Sequence, residues 1–481
     1  MKFLLTLFTL LTLAPCWAKT IYVAADAKKN GDGSVSKPFK DIQTGLDHTF
    51  AGDTLWIAAG GYYPEGQLRV KHSGRPDAWV TIMGEPHKKV GISGGKFLLE
   101  LPESGDWITQ GLFHIQGVKY VRVDNLQLFD SHNAGFMIYG QGRREGNRVI
   151  NYDPTVTHNI HLNNCKSMLS YNSGIGVWYA DSVKITHCEI VGANDQEQRP
   201  EGKKYKRQAP HEAISIAGSN HFEVAYNHLH MNKKEGIDCK EFSSNGKIHH
   251  NYCHDNKSQG IYLDSWFRKL EHIEVYANVV HDCGFGMAIS AEGKDSKMAH
   301  IAIHDNLFYN NRHSGFIIAT FGKDAVRSHL YFYNNTLVGN GLAAHWAGMG
   351  GGLDLRSEQI HDAYFFNNLM VDNTGFEIAA FKKGRAFDQA AKDQNLHITN
   401  NMTSPMVSKQ ACEGYLGTVY PIEQQSYIDT TIFINAGEHN FSLKANALPK
   451  GKSISINGYG KEGRDLGANI EHLPPFYRPN F

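Results

Sequence analysis

The chain has 481 residues, with 48 Lys and Arg against 48 Asp and Glu. That length exceeds the roughly 250–300 residues that one hydrophobic core usually sustains, so the chain is either several domains or one repeat domain that grows by stacking. Zero net charge without an acidic tail argues against nucleic acid as a partner, and 41% hydrophobic against 20% charged residues argues against disorder. Gly is abundant (48), Pro scarce (15) and aromatics make up 11%, which favours an all-β chain.

Residues 1–18 read as a secretory signal: Lys2 is the basic start, Phe3 to Leu13 the apolar run, and Ala18 the small residue before the cut at Lys19. Pro15, Cys16 and Trp17 interrupt the run short of the ~20 residues a membrane span needs, and no later segment is apolar enough to span. A secreted or periplasmic protein is expected. Residues 19–120 open with a strand, a polar Gly-rich loop, a helix and another strand. Phe39, Ile42, Leu46 and Phe50 lie on one helical stripe, which suits a cap over the open end of a stacked fold.

From 121 to 403 a degenerate repeat takes over. An Asn ends a short β-like run at Asn125, Asn164, Asn227, Asn251, Asn278, Asn306, Asn335, Asn368 and Asn401. From Asn227 onward the intervals are 24, 27, 28, 29, 33 and 33 residues. About ten residues after most of these comes Gly with alternating apolar residues, as in SGIGVWY, EGIDCK, QGIYLDSW, FGMAIS and GGLDLR. Periods of this length mean a solenoid, propeller or array. Short strands without helices mean a parallel β-helix, with coils ~4.8 Å apart and the Asn at turns that tolerate left-handed backbone. Residues 192–210 are a polar loop too long for a tight turn. The segment 404–440 shows no coil and is expected to cover the C-terminal end, within a closing region 404–481.

Past the leader, Cys165, Cys188, Cys239, Cys253, Cys283 and Cys412 remain. A chain this long needs no staples. The strand-like settings of the first four predict buried thiols, and no spacing suggests zinc. His249, His250, His254, His281, His304 and His313 sit near coil corners and read as turn or ladder residues, so no metal site is expected among them.

On the N-terminal unit, the repeats and the closing FSLKANALPKGKS and DLGANIE segments, the chain resembles the right-handed parallel β-helix proteins of the pectate-lyase-like superfamily over nearly all of Thr20–Glu471. The resemblance implies a carbohydrate-active enzyme, with a carbohydrate polymer or oligosaccharide as partner.

Side chains alternate between faces of a strand. With Ile237, Cys239, Ile261, Leu263, Met287, Ile289, Leu353 and Leu355 inward, one outer face carries Asp238, Lys240, Tyr262, Asp264, Trp266, Ser290 and Glu292. Trp178 precedes them, and Asp354 and Arg356 lie further along. His211, Glu212 and Glu235 flank the face at strand entrances, where a structural turn role is equally open. Flat rings suit the faces of pyranoses, and carboxylates suit proton transfer or nucleophilic attack. Lys240 and Asp264 share an offset on adjacent coils and are expected to pair. Asp238, Asp264 and Glu292 step along the face with Cα separations of ~8 Å, which leaves retaining and inverting spacings both open.

The first expectation is therefore a cofactor-free glycoside hydrolase with Asp264 as nucleophile or base, Glu292 as general acid, and Asp238 with Lys240 orienting the sugar or tuning Asp264. Substrate contacts are expected from Lys240, Tyr262, Trp266, Trp178, His211, Glu212, Glu235, Arg268 and Arg356. The alternative is a polysaccharide lyase acting on a uronate. The resemblance then implies Lys240 as base and Ca²⁺ held by Asp238 and Asp264, with extra cations from Arg268, Lys269 or the KKYKR run at 203–207. A non-catalytic glycan-binding protein is the third reading, and it predicts aromatics without clustered acids.

Overall fold

A computed structural model describes residues 18–29, 31–95, 110–146, 148–195, 211–293, 296–322, 325–343, 350–357, 359–382, 394–405, 417–419 and 427–474. Residues 1–17 of the expected leader, residues 196–210 of the expected polar loop with their KKYKR run, and Cys412 lie outside the described residues.

Among the described residues three long sheets of 13, 12 and 12 strands run along the chain; each repeating coil gives one strand to each, and Gly417–Val419 adds an antiparallel edge to the second. In one coil Ile237–Lys240 enters the second sheet, Ser244–His249 the first and Tyr252–His254 the third, before Gln259–Ser265 returns to the second. Stacking is parallel and in register: Lys240 lies over Asp264, Ile248 over Val275 and Cys253 over Val280. The fold is a parallel β-helix. The alternating Ile, Val and Leu of successive strands point to one axis, where a single core runs from Ile21 to Leu396.

The repeated Asn works differently at the two ends of the helix. In the later coils the left-handed residue is the one before the Asn: Tyr226, His250, Ala277, Asp305, Asn334, Asn367 and Asn400 have φ of 50–60°. The following Asn227, Asn251, Asn278, Asn306, Asn335 and Asn368 point inward with no exposure, and Asn401 ends the column at 8%. Asn125 and Asn164 instead hold the left-handed positions themselves (φ 55° and 50°), and Leu126 and Cys165 take the inward place. The sequence motif is thus one residue out of step at its first two occurrences. The buried Asn side chains form a ladder. Asn278 Oδ1 accepts from the backbone N–H and Nδ2 of Asn251, both at 2.9 Å, and its own Nδ2 donates to Ile248 O, Tyr276 O and Asn306 Oδ1. A second ladder joins Asn311, Asn340 and Asn373.

The N-terminal helix is short, Ile42–Asp47, with Asp41 as its N-cap. Ile42 and Leu46 are buried, but Phe50 lies beyond the helix and is 47% exposed against His72, so the expected amphipathic stripe is cut to less than two turns. At the other end, residues 427–474 do not simply close the terminus. Ile428, Ile432, Phe433, Phe441, Leu466 and Leu473 pack along the flank of the solenoid against Val279, Leu307, Tyr309, Val338, Leu369 and Val371. Cys165, Cys188, Cys239, Cys253 and Cys283 are buried free thiols. Among the described residues no helix is long and apolar enough to cross a membrane.

Replacing Asn278 with Ala strands the Asn251 donors in a dry interior and should cost on the order of 3 kcal/mol. Urea unfolding at unchanged m-value measures it. A loss below about 0.5 kcal/mol, the size of an ordinary surface change, would contradict a structural role for the ladder.

Candidate active site

The expected face exists, and it lies on the outside of the second sheet. Ile237, Cys239, Ile261, Leu263, Met287 and Ile289 belong to the core, which leaves Asp238, Lys240, Tyr262, Asp264 and Ser290 pointing away from it. Register sets two columns. Ser215, Asp238, Tyr262 and Ala288 form one; Ala217, Lys240, Asp264 and Ser290 form the other.

This outward face is nevertheless buried. Asp238 is 2% exposed, Asp264 4%, Lys240 8% and Tyr262 8%. Two apolar clusters flank it. Trp178, Tyr179, Ala217 and Phe267 gather on one side with Tyr152, Phe242 and Trp266, and Tyr262, Ala288 and Ile317 on the other. The first cluster lies partly under a hairpin of strands Gln141–Glu145 and Arg148–Asp153, which sets the Arg144 guanidinium 5.1 Å from the Trp266 ring.

Lys240 is the centre of the charged group. Its column neighbour is Asp264, as expected, but the ammonium turns instead to Asp238 Oδ2 (2.9 Å) and to Glu212 Oε2. Glu212 also accepts from Lys234 (3.3 Å) and Ser215 (3.1 Å), and Lys234 lies 3.8 Å from Glu235. Asp264 Oδ2 accepts from Trp266 Nε1, and Tyr262 donates to Glu292 Oε1 at 2.6 Å. Glu212 and Glu235 are therefore bound into the charged group and are more than turn residues.

Five carboxyl groups share this place with two ammonium groups, and burial decides how their charges settle. Burial raises Asp238 and Asp264 well above the usual carboxylate range, and like charges add to it, from Glu212 and Asp264 on Asp238 and from Glu292 on Asp264. Burial also raises Glu235. Burial would raise Glu212 too, but Lys240 and Lys234 overcome it and hold that group ionised. Burial opposes the charge of Lys240, yet Asp238 and Glu212 win and keep it firmly protonated. Several buried polar atoms of the group have no hydrogen-bond partner: Asp238 Oδ1, Asp264 Oδ1, Glu235 Oε2, Ser290 Oγ and Trp178 Nε1. Such orphans cost about 1–3 kcal/mol each, and their convergence marks a place built to meet something else.

Other expected contacts fall differently. Trp178 is 3% exposed and meets His211 edge-on at 4.7 Å, so neither it nor buried Tyr262 offers an open ring face to a sugar. His211 is kept neutral, its pKa lowered to about 3 by burial and then by Lys240. Trp266 is half-buried. Arg268 turns away: it packs over Phe242 at 4.6 Å and donates to Val149 O at 3.3 Å, tying the hairpin down. Arg356 pairs with Asp354 at 2.8 Å, three strands from Asp264. Lys234, Arg144 and buried Glu241 were not singled out from the sequence. Lys234 stands beside Glu235 at the strand entrance and could have been found by asking what neutralises Glu212 and Glu235. Arg144 arrives from a hairpin that the repeat does not announce.

Residues 110–300 match a family described as a right handed beta helix region, so the solenoid is a right-handed parallel β-helix. A 127-residue stretch is 28% identical to pectate lyase PEL9 of Emericella nidulans, covering 26% of this chain and 30% of that one. A second relative, the uncharacterized protein YwoF of Bacillus subtilis, is 24% identical over 333 residues, 63% of this chain and 64% of the relative. The chain thus spans under two thirds of the length of either relative. The crystal structure of pectate lyase Pel9A superposes with a TM-score of 0.50 at 13% identity, over 94% of this chain and 96% of that one, which speaks to the fold alone.

Glu241 gives a pH test of the buried electrostatics. It is 1% exposed, accepts from Tyr179 at 3.2 Å, and burial raises its pKa to about 7, against the pull of Arg144. The unfolded chain releases this proton near its ordinary value of 4.5. Stability is therefore full below that pH and falls as pH rises towards 7, by on the order of 3 kcal/mol. Glu241→Gln should flatten that part of the profile in urea titrations between the two values. An unchanged slope would place the carboxyl in a wetter setting than the structure gives it.

Proposed function

We propose that this chain is a carbohydrate-active enzyme that cleaves polysaccharide, and that the reading its site supports best is a lyase acting by β-elimination on a uronate-containing polymer. The observation that carries it is the buried Lys240 among surplus carboxyl groups with bare oxygens. The similarity to a pectate lyase over part of the chain adds support. Elimination needs a base for the proton next to the uronate carboxyl, a positive charge to hold that carboxyl, and a proton for the departing oxygen. Lys240 takes the base role and must first lose its own proton. Whatever draws Glu212 and Asp238 away from it lowers its pKa towards that end. Asp264, held protonated by burial and by Glu292, is a proton donor for the leaving oxygen.

An acidic site for an acidic substrate calls for a cation. Hard oxygens suit Ca²⁺, and Asp238 and Glu212 would hold it, with the bare Asp238 Oδ1 already in place, which leaves Asp264 to keep its proton. Bound there, Ca²⁺ would neutralise the substrate's carboxylate.

A second reading has its own observation. Asp264 protonated beside Glu292, which is anchored by Tyr262, also suits hydrolysis, with Asp264 as acid and Glu292 as base or nucleophile. Those roles are the reverse of the ones the sequence suggested, because Asp264 is the more deeply buried of the two. Hydrolysis leaves the Lys240–Glu212–Asp238 group without work, which favours elimination.

Digestion of a panel of polyuronates and neutral polysaccharides separates the two readings. Elimination leaves an unsaturated, ultraviolet-absorbing end, whereas hydrolysis leaves reducing ends only. Lys240→Ala should cut elimination by about 10²-fold or more while circular dichroism stays β-dominated, and chelation should abolish it. Reducing ends without absorbance, with Lys240→Ala still active, would overturn the lyase reading in favour of hydrolysis.

A further inference from the structure

The outer face of the third sheet carries a group that neither reading uses. Glu189 and His228 are neighbours in one column, and Val191, His230, His254 and His281 follow one another in the next. His228, His230 and His254 each bring a ligand-capable nitrogen to one point, with all three nitrogens within 4.8 Å of one another. The rings are half-buried, and the His230 and His254 side chains are only 17% and 18% exposed.

Their hydrogen bonds have the form that metal-binding histidines take. Asp255 Oδ2 lies 2.6 Å from His254 Nδ1, and beside a carboxylate that nitrogen carries the proton. The lone pair of His254 is therefore on Nε2, which faces His228 Nε2 at 2.8 Å. Glu189 Oε1 lies 3.1 Å from His230 Nε2 and anchors the third ring, itself held by Lys166 at 2.8 Å. Carboxylates in this supporting position fix ring orientation and raise ligand basicity. Two ring nitrogens on one tetrahedral ion stand about 3.3 Å apart at bond lengths of about 2.0–2.1 Å, a small opening from the distance between His228 and His254.

We propose that His228, His230 and His254 form a binding site for a borderline divalent transition ion of the Zn²⁺, Co²⁺ or Ni²⁺ class, which ties two successive coils together on a sheet other than the one bearing the acidic group. Imidazole ligands select such ions over Ca²⁺, so the site is chemically separate from a calcium-dependent reaction. On binding, the proton between His228 Nε2 and His254 Nε2 moves to His228 Nδ1 by exchange with water, so that the ring stays neutral and the ion bonds to both Nε2 lone pairs.

The test uses the whole chain, purified without a metal-affinity tag and stripped with a chelator. Titration with Co²⁺ should give visible d–d bands that saturate at one ion per chain and are abolished by Zn²⁺. Zn²⁺ should also raise the melting temperature. His228→Ala and His254→Asn should each weaken Co²⁺ affinity at least tenfold, and Asp255→Asn should weaken it by about 10–100-fold through the ring it orients. His187→Ala, on an exposed ring stacked on Tyr226, should leave it unchanged. If a histidine variant folds poorly, the Asp255→Asn titration and the Zn²⁺ shift in the unaltered chain still decide. No saturable band and no melting shift would overturn the site. So would binding that survives His228→Ala and His254→Asn but disappears in His300→Ala, which would put the ion at the group of half-buried Glu271 with exposed His272 and His300.

Discussion

Register between coils is the constraint on which the rest of this structure depends. A parallel solenoid has no hairpins to fix its strand pairing, and a slip by one residue would turn every inward side chain outward. The Asn ladders remove that freedom. Each buried amide accepts from the coil before and donates both to the coil after and to a backbone carbonyl, so it fits at one height and one position only. A left-handed residue just before it turns the chain into the corner. Where the ladder gives way to Leu126, Cys165 and Cys188, the column persists, and a thiol or an apolar side chain fills the same place.

Once register is fixed, outward residues have no choice of neighbour. Asp238 and Lys240 on one coil and Tyr262 and Asp264 on the next are carried to within a strand spacing of each other, and Glu212 and Glu235 arrive at the strand entrances. Exposed, such a row would be a solvated face. Here apolar clusters on both sides shut water out, and the group settles as one ionised carboxylate, two fixed ammonium groups and several acids that prefer to keep a proton. The hydrogen-bonded ladder and the continuous apolar core offset the cost of those unpaired polar atoms.

The third sheet shows that the same geometry is indifferent to chemistry. Its columns bring histidines together as strictly as the second sheet brings acids together. Carboxylate oxygens gather on one face and imidazole nitrogens on another, which are preferences of different ions. The C-terminal segment covers part of the third sheet further along, from Val279 to Val371, and leaves the acidic face to the hairpin at 141–153.

The sequence by itself determined the solenoid and the direction of its side chains. Strand alternation has a period of two, so a Gly anchor and an apolar pair were enough to put Asp238, Lys240, Tyr262 and Asp264 on one outer face and to make Lys240 and Asp264 column neighbours. The Asn motif located the corners, and it misled only at Asn125 and Asn164, where the left-handed position and the inward position both tolerate Asn. What tertiary structure alone decided was where the side-chain ends went and what covered them. Lys240 turned to Glu212, which the two lysines hold ionised, and to Asp238 beside it, while Asp264 already accepts from Trp266. Trp178 lost its open face to neighbouring rings and Tyr262 to Ala288 and Ile317, and Arg268 went to Val149, a partner 119 residues away. Parity is a property of a few adjacent residues. Burial and charge pairing depend on segments distant in the chain, and a repeat pattern carries no record of them.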